Sequence, residues 1–139
     1  VFRWRISVFL GFISILSFLQ VASYAQSISV TICKQVNASK TAPIDPTDRF
    51  GTDQPELHAI AVLKDAAKGT VVNGMWVSID AIAQPDYPID SVSVQLPEKG
   101  DTQVHFSLSR PTNGWPVGNY KLDVYLNDNL VSTTPFSIK

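Results

Sequence analysis

From Ser27 onward, apolar and polar side chains alternate in short runs separated by Gly, Pro, Asn and Asp. A period of two puts one side of an extended chain in a core and the other in water, so each run predicts a half-buried strand. The clearest case lies near the end of the chain. Tyr120, Leu122, Val124 and Leu126 alternate with Lys121, Asp123, Tyr125 and Asn127, and Leu130, Phe136 and Ile138 share the parity of a returning strand. Between them Asn127-Asp128-Asn129 offers residues that tolerate positive φ, so a tight hairpin is expected. Pro135 has no backbone donor and suits an edge or a bulge.

Earlier runs predict strands over 27–36 (Ile28, Val30 and Ile32 inward), 56–63, 70–80, 89–96 (Val92, Val94 and Leu96 on one face) and 102–109 (Val104, Phe106 and Leu108 inward). In the 56–63 run Leu57, Ala59, Ala61 and Leu63 oppose His58, Ile60 and Val62. Apolar residues on both faces mark a central strand, covered in part on each side. The stretch 37–55 reads as a long surface connection with Phe50 as its one large anchor, and 84–88 as a proline-bounded loop.

Seven short strands with no helical period after residue 26 predict an antiparallel β-sandwich. Trp76 in the third strand and Gly118-Asn119-Tyr120 opening the sixth resemble immunoglobulin-like domains, which bury a tryptophan between their sheets and tie a tyrosine hydroxyl back to nearby backbone. More narrowly, Phe50, Glu56-Leu57-His58-Ala59, Trp76, Phe106-Ser107-Leu108-Ser109 and Gly114 to Tyr120, on to Phe136, resemble the bacterial immunoglobulin-like domain of small exported proteins, over roughly 50–138. The resemblance implies a seven-stranded immunoglobulin-like sandwich, with Trp76, Phe106, Gly118, Tyr120 and Phe136 as structural residues. It implies architecture and not chemistry. Antibody-type domains differ in joining their sheets with a cysteine pair, for which this sequence has no second cysteine.

The front end changes the picture of where the protein lives. Arg3 and Arg5 precede an apolar run from Ile6 to Val21, and Ser23 and Ala25 supply the small residues of a cleavage site before Gln26. Residues 1–25 are expected to be a signal peptide, helical while it lasts, with an uncleaved membrane anchor as the alternative. Export to the periplasm or the cell exterior follows. The expected division is 1–25 signal, 26–49 first strand and Pro/Asp-rich connection, and 50–139 the rest of the sandwich.

Without Arg3 and Arg5 the chain has 9 basic against 12 acidic residues and no basic cluster. Such a surface has no electrostatic footprint for a phosphate backbone, so nucleic acid is not an expected partner. A membrane is expected to be met only through an uncleaved signal segment. Cys33 is the single cysteine, which excludes an intramolecular disulfide. Bulky Ile32 before it and its distance from the apolar run argue against lipidation, and a small buried thiol in the first strand is expected.

Candidate chemistry is sparse. His58 and His105, the only histidines, fall on strands that neighbour each other in a Greek-key order. A metal site there would need a third ligand from Cys33, Met75 or an acid. Asp45, Asp48 and Asp53 could hold calcium from a loop, although a solvated turn explains them as well. No Gly-x-Ser-x-Gly elbow or phosphate-cradling glycine loop occurs, and no cofactor is implied. Trp115, between Gly114 and Pro116, and Tyr87, beside Pro88, could stack on a sugar or fill a partner's pocket, with Tyr125 as a third ring. For Trp115 the favoured alternative is that it folds under its loop as a cap on the core, since Gly and Pro on either side fix its direction. The expected function is that of a non-enzymatic binding module for a protein or envelope partner. A carbohydrate-binding module is the alternative, and a metal-binding or hydrolytic protein a more distant one.

Overall fold

The computed structural model describes residues 27–139, so the expected signal segment over 1–25 lies outside the described residues. Strands β1 (Ser27–Val36), β2 (Pro43–Pro46), β3 (Arg49–Phe50), β4 (Glu56–Ala66), β5 (Val71–Ser78), β6 (Tyr87–Gln95), β7 (Gly100–Ser109), β8 (Gly118–Leu126) and β9 (Asn129–Ile138) follow one another without an intervening helix. Among the described residues no helix is long and apolar enough to cross a membrane. One sheet has the order β2-β1-β4-β7 and the other β3-β9-β8-β5-β6. With β1, β4 and β7 facing β9, β8 and β5, and β6 added beside β5, this is the strand order of an immunoglobulin-like sandwich.

Among the described residues nine strands stand where seven were expected, and both additions come from the stretch read as a surface connection. Pro43–Pro46 pairs with β1, and Arg49–Phe50 pairs in parallel with β9. Thr47 N–H bonds Ile32 O at 3.1 Å, while Ser137 N–H bonds Asp48 O at 2.8 Å and Lys139 N–H bonds Phe50 O at 3.0 Å. The segment thus crosses from one sheet to the other. Prolines hid this, because a short edge strand tolerates the missing donors that would bar a central one.

The core forms where the inward faces meet. Leu57, Ala59, Ala61 and Leu63 of β4 and Val104, Phe106 and Leu108 of β7 pack against Val72 and Trp76 of β5, Leu122, Val124 and Leu126 of β8, and Phe136 and Ile138 of β9. Gly74 lets the sheets approach, since a Cβ there would lie 2.5 Å from the Phe106 ring. Phe136 sits at the centre of an aromatic group, edge-on to Phe50 and Trp76 and stacked on Tyr120. The expected tyrosine tie is present: Tyr120 Oη donates to Pro116 O at 2.5 Å. The hairpin also forms as read, with Asn127 at φ 47° and Asp128 at φ 67°.

One inward assignment and one loop need correction. Leu130 is 54% exposed, because a register step between Val124 and Tyr125 sets it opposite Tyr125 on the outer face. Tyr87 and Pro88 belong to β6 and not to a loop. Val92 does lie on the inner side, opposite Gly74, yet it is 39% exposed. The first sheet stops at β7, and the second runs one strand further.

Candidate functional site

That overhang borders an apolar groove at one end of the sandwich. One wall is the β5–β6 connection, fixed by short bonds. Asp80 accepts from Asn119 N–H at 2.7 Å and from Asn119 Nδ2 at 2.8 Å, and these bonds hold its carboxyl below the usual aspartate value. Ala81 N–H bonds Ser78 Oγ, and Asp86 turns the chain at φ 50°. Gly118 permits the approach, since a Cβ there would lie 2.7 Å from Ala81 Cα. The other wall is the β7–β8 loop, where Gly114 at φ 81° closes a turn on Pro111. Between the walls lies a groove of about 170 Å³ lined by Ile82, Tyr87, Ile89, Pro111, Trp115 and Tyr120, among others.

The groove's floor and rim differ in character. Trp115 is only 4% exposed, and its Nε1 donates to Gln54 O at 2.6 Å. The reading of Trp115 as a flat ring offered to a ligand is therefore corrected: it caps the core and forms the floor. Tyr120 lies beside it, and burial first, then the Asp80 charge, pushes its hydroxyl up to about 12. Ile82, Tyr87 and Ile89 on the rim, with Val117 following Pro116, are exposed. Tyr125 lies elsewhere, in a shallow depression with Asn73, Met75 and Asp128. Of the three rings singled out in the sequence, two meet and the third does not. Ile82 and Ile89 were missed: Ile82 stands between Ala81 and Ala83 and Ile89 between Pro88 and Asp90, and neither neighbourhood signals a groove.

The histidines form a second cluster on the outer face of the first sheet. Register sets His58 opposite Ser107 and His105 opposite Ile60, a diagonal pair. His58 Nδ1 and His105 Nε2 are 2.9 Å apart, and the rings lie 20° from parallel with centroids 5.2 Å apart. Glu56 Oε2 lies 3.2 Å from His58 Nε2. With the carboxylate on Nε2–H, His58 Nδ1 accepts from His105 Nε2–H while both rings are neutral. Burial, then the charges of His58 and Lys40, lower the His105 pKa, and Glu56 acts the other way. Among the described residues no three His, Cys, Asp or Glu side chains are arranged to hold a metal, Asp45, Asp48 and Asp53 included. Cys33 is buried with a raised pKa, chiefly from desolvation, and donates to His58 O.

No protein-family model matches the chain, and no curated protein matches it in sequence. Among solved structures, the chain is similar to a mutant β-glucosidase from Listeria innocua in complex with laminaribiose, at 13% identity and a TM-score of 0.50, over 81% of this chain and 16% of that one. It is also similar to an immunoglobulin-like protein from Pseudomonas aeruginosa, at 11% identity and a TM-score of 0.47, over 84% of this chain and 95% of that one. The chain thus spans 16% of the length of that β-glucosidase, and the likeness is one of fold alone.

Proposed function

We propose that the chain is a non-enzymatic, exported interaction module that binds a protein partner, soluble or in the cell envelope, through the groove between the β5–β6 connection and the β7–β8 loop. The observation that carries this reading is the exposed apolar rim of Ile82, Tyr87 and Ile89 over a buried aromatic floor. Such clusters on a monomer's surface mark places where a partner excludes water. Wider depressions lie beside Asp48, Arg49 and Lys139 and beside Lys34, Glu56 and His58, but charged side chains rim them. Against the carbohydrate reading stands the burial of Trp115, which leaves Tyr87 without the coplanar partner ring that reading expects.

The start of β1 supports a particular presentation. Ser27 pairs with Lys64, at the end of the sheet away from Glu56 and the groove. If residues 1–25 stay in a bilayer, the groove points away from it. The test is capture of a partner from the protein's own cell envelope by the full chain and by a Tyr87→Ala/Ile89→Ser variant of equal stability. Capture lost in the variant carries the reading, and capture unchanged would remove the groove from consideration.

A further inference from the structure

Resting on the reading of the groove as a protein-binding surface, we infer that β6 is a docking edge for an extended, basic segment of a protein partner, which adds as a strand and sets one apolar side chain in the groove. β6 is the last strand of its sheet. Leu96 donates its N–H to Thr70 O at 2.9 Å and its carbonyl accepts from Gly69 N–H at 2.8 Å, both on the β5 side. In an antiparallel pair, N–H and C=O of one residue turn the same way, alternating along the strand. Val92 and Val94 therefore bond β5, while Ser91, Ser93 and Gln95 turn their backbone groups to the open edge. Asp90 Oδ1 accepts from Ser91 N–H at 2.9 Å, a bond an incoming carbonyl can replace.

Native edges are blunted by lysine, proline or bulges. Pro88 and the register step between Trp76 and Val77 protect the start of β6, but neither device continues past Asp90. Charge names the occupant. Between Lys68 and Lys99 the sequence carries Asp80, Asp86, Asp90 and Glu98 with no Lys or Arg. A segment bearing Lys or Arg meets complementary charge there, an acidic one is repelled, and a second copy of β6 would bring Asp90 toward like charge. A cavity of about 150 Å³ takes benzene, so the groove's 170 Å³ fits one phenylalanine or leucine side chain. Strand pairing supplies affinity and the pocket selects the side chain.

The test is calorimetric titration of the full chain, in detergent, with a short synthetic peptide alternating Lys and Val around a central Phe. Controls replace Lys by Glu or N-methylate alternate amides. The basic peptide is expected to bind at least about tenfold more tightly than either control. Ser93→Pro, which removes an outward donor and spares the bonds to β5, is expected to weaken it about tenfold. Equal affinity for the acidic or N-methylated peptide, or full affinity in Ser93→Pro, overturns the inference. If Ser93→Pro keeps envelope capture while Tyr87→Ala/Ile89→Ser loses it, the groove stands and strand addition falls; if both variants keep it, both fall. A dimer in sedimentation that Ser93→Pro dissolves would make a second copy the occupant and overturn the basic partner.

Discussion

Between β1 and β9 the sandwich is stitched shut. The chain leaves the first sheet at Pro46 and joins the second at Arg49, with Phe50 driven into the core beside Phe136. Between β7 and β6 no described strand does the same, and Val92, Ile89 and Tyr87 stay exposed. A two-layer sandwich has two long sides to close, and closing one takes chain. This sequence uses 37–55 for one side and, among the described residues, leaves the other to water or to a partner. Stability is therefore concentrated on the first side and binding potential on the second.

Phe50→Ala gives the largest expected effect. It removes a buried ring from the closed side, at a cost of about 3–5 kcal/mol. Ile89→Ala on the open side should change stability by no more than about 0.5 kcal/mol. Urea unfolding of both variants measures the contrast, and comparable losses would dissolve it. Gly74→Ala ranks next. Its methyl would press on Phe106 at 2.5 Å, between β5 and β7 next to the open side, and overpacking of this kind costs about 1–3 kcal/mol. A neutral result would mean that the sheets separate freely, and the open side would then be softer than its packing implies.

The inner faces were legible because burial on one face imposes a period of two. Leu57 to Leu63, Val104 to Leu108 and Tyr120 to Leu126 all pack as their alternation requires. The same alternation misled at β6, since Val92 keeps its parity and simply has no strand above it. Parity reports which way a side chain points and is silent on what covers it. Leu130 shows the other limit, where one inserted residue flips every position beyond it. At the candidate site Tyr87 and Trp115 could be named as aromatics beside proline, but their meeting depends on Asp80 clamping Asn119 across 39 residues. His58 and His105 were expected to approach from strand order alone, while the Glu56 contact needed the actual register.

The two buried tryptophans sharpen the contrast at smaller cost. Trp76 Nε1, in the middle of the core, has no hydrogen-bond partner among the described residues, whereas Trp115 Nε1 serves Gln54 O under the groove. Both Phe variants lose volume, but only Trp115→Phe also strands an acceptor. Trp115→Phe should therefore be roughly 1 kcal/mol more destabilising than Trp76→Phe by urea unfolding. The reverse order would place the better-satisfied indole in the centre and weaken the view of Trp115 as a fixed floor.

The smallest effect concerns β7, the strand that borders the open side and is held to β4 partly through His105. Its imidazole is partly buried and faces His58 and Glu56 of β4, with the Lys40 charge nearby, and its pKa lies below the ordinary 6.5. A histidine with a lowered folded pKa holds fewer protons folded than unfolded once the pH drops below about 6.5. Its contribution is complete above that value and is lost as pH falls through the folded pKa. Adding one proton to the pair can leave the Nε2–H to Nδ1 bond in place, whereas a second sets N–H against N–H. Asp101, whose carboxyl sits below 3.8 through the Asp65 N–H and Lys64, keeps its contribution through that range and loses it only in stronger acid, so the two windows separate. The urea midpoint should fall modestly from pH 7.5 to 5, and His105→Gln should flatten that fall while leaving the drop below pH 4. An unchanged slope in His105→Gln would show that the pair bears no part of the fastening of β7.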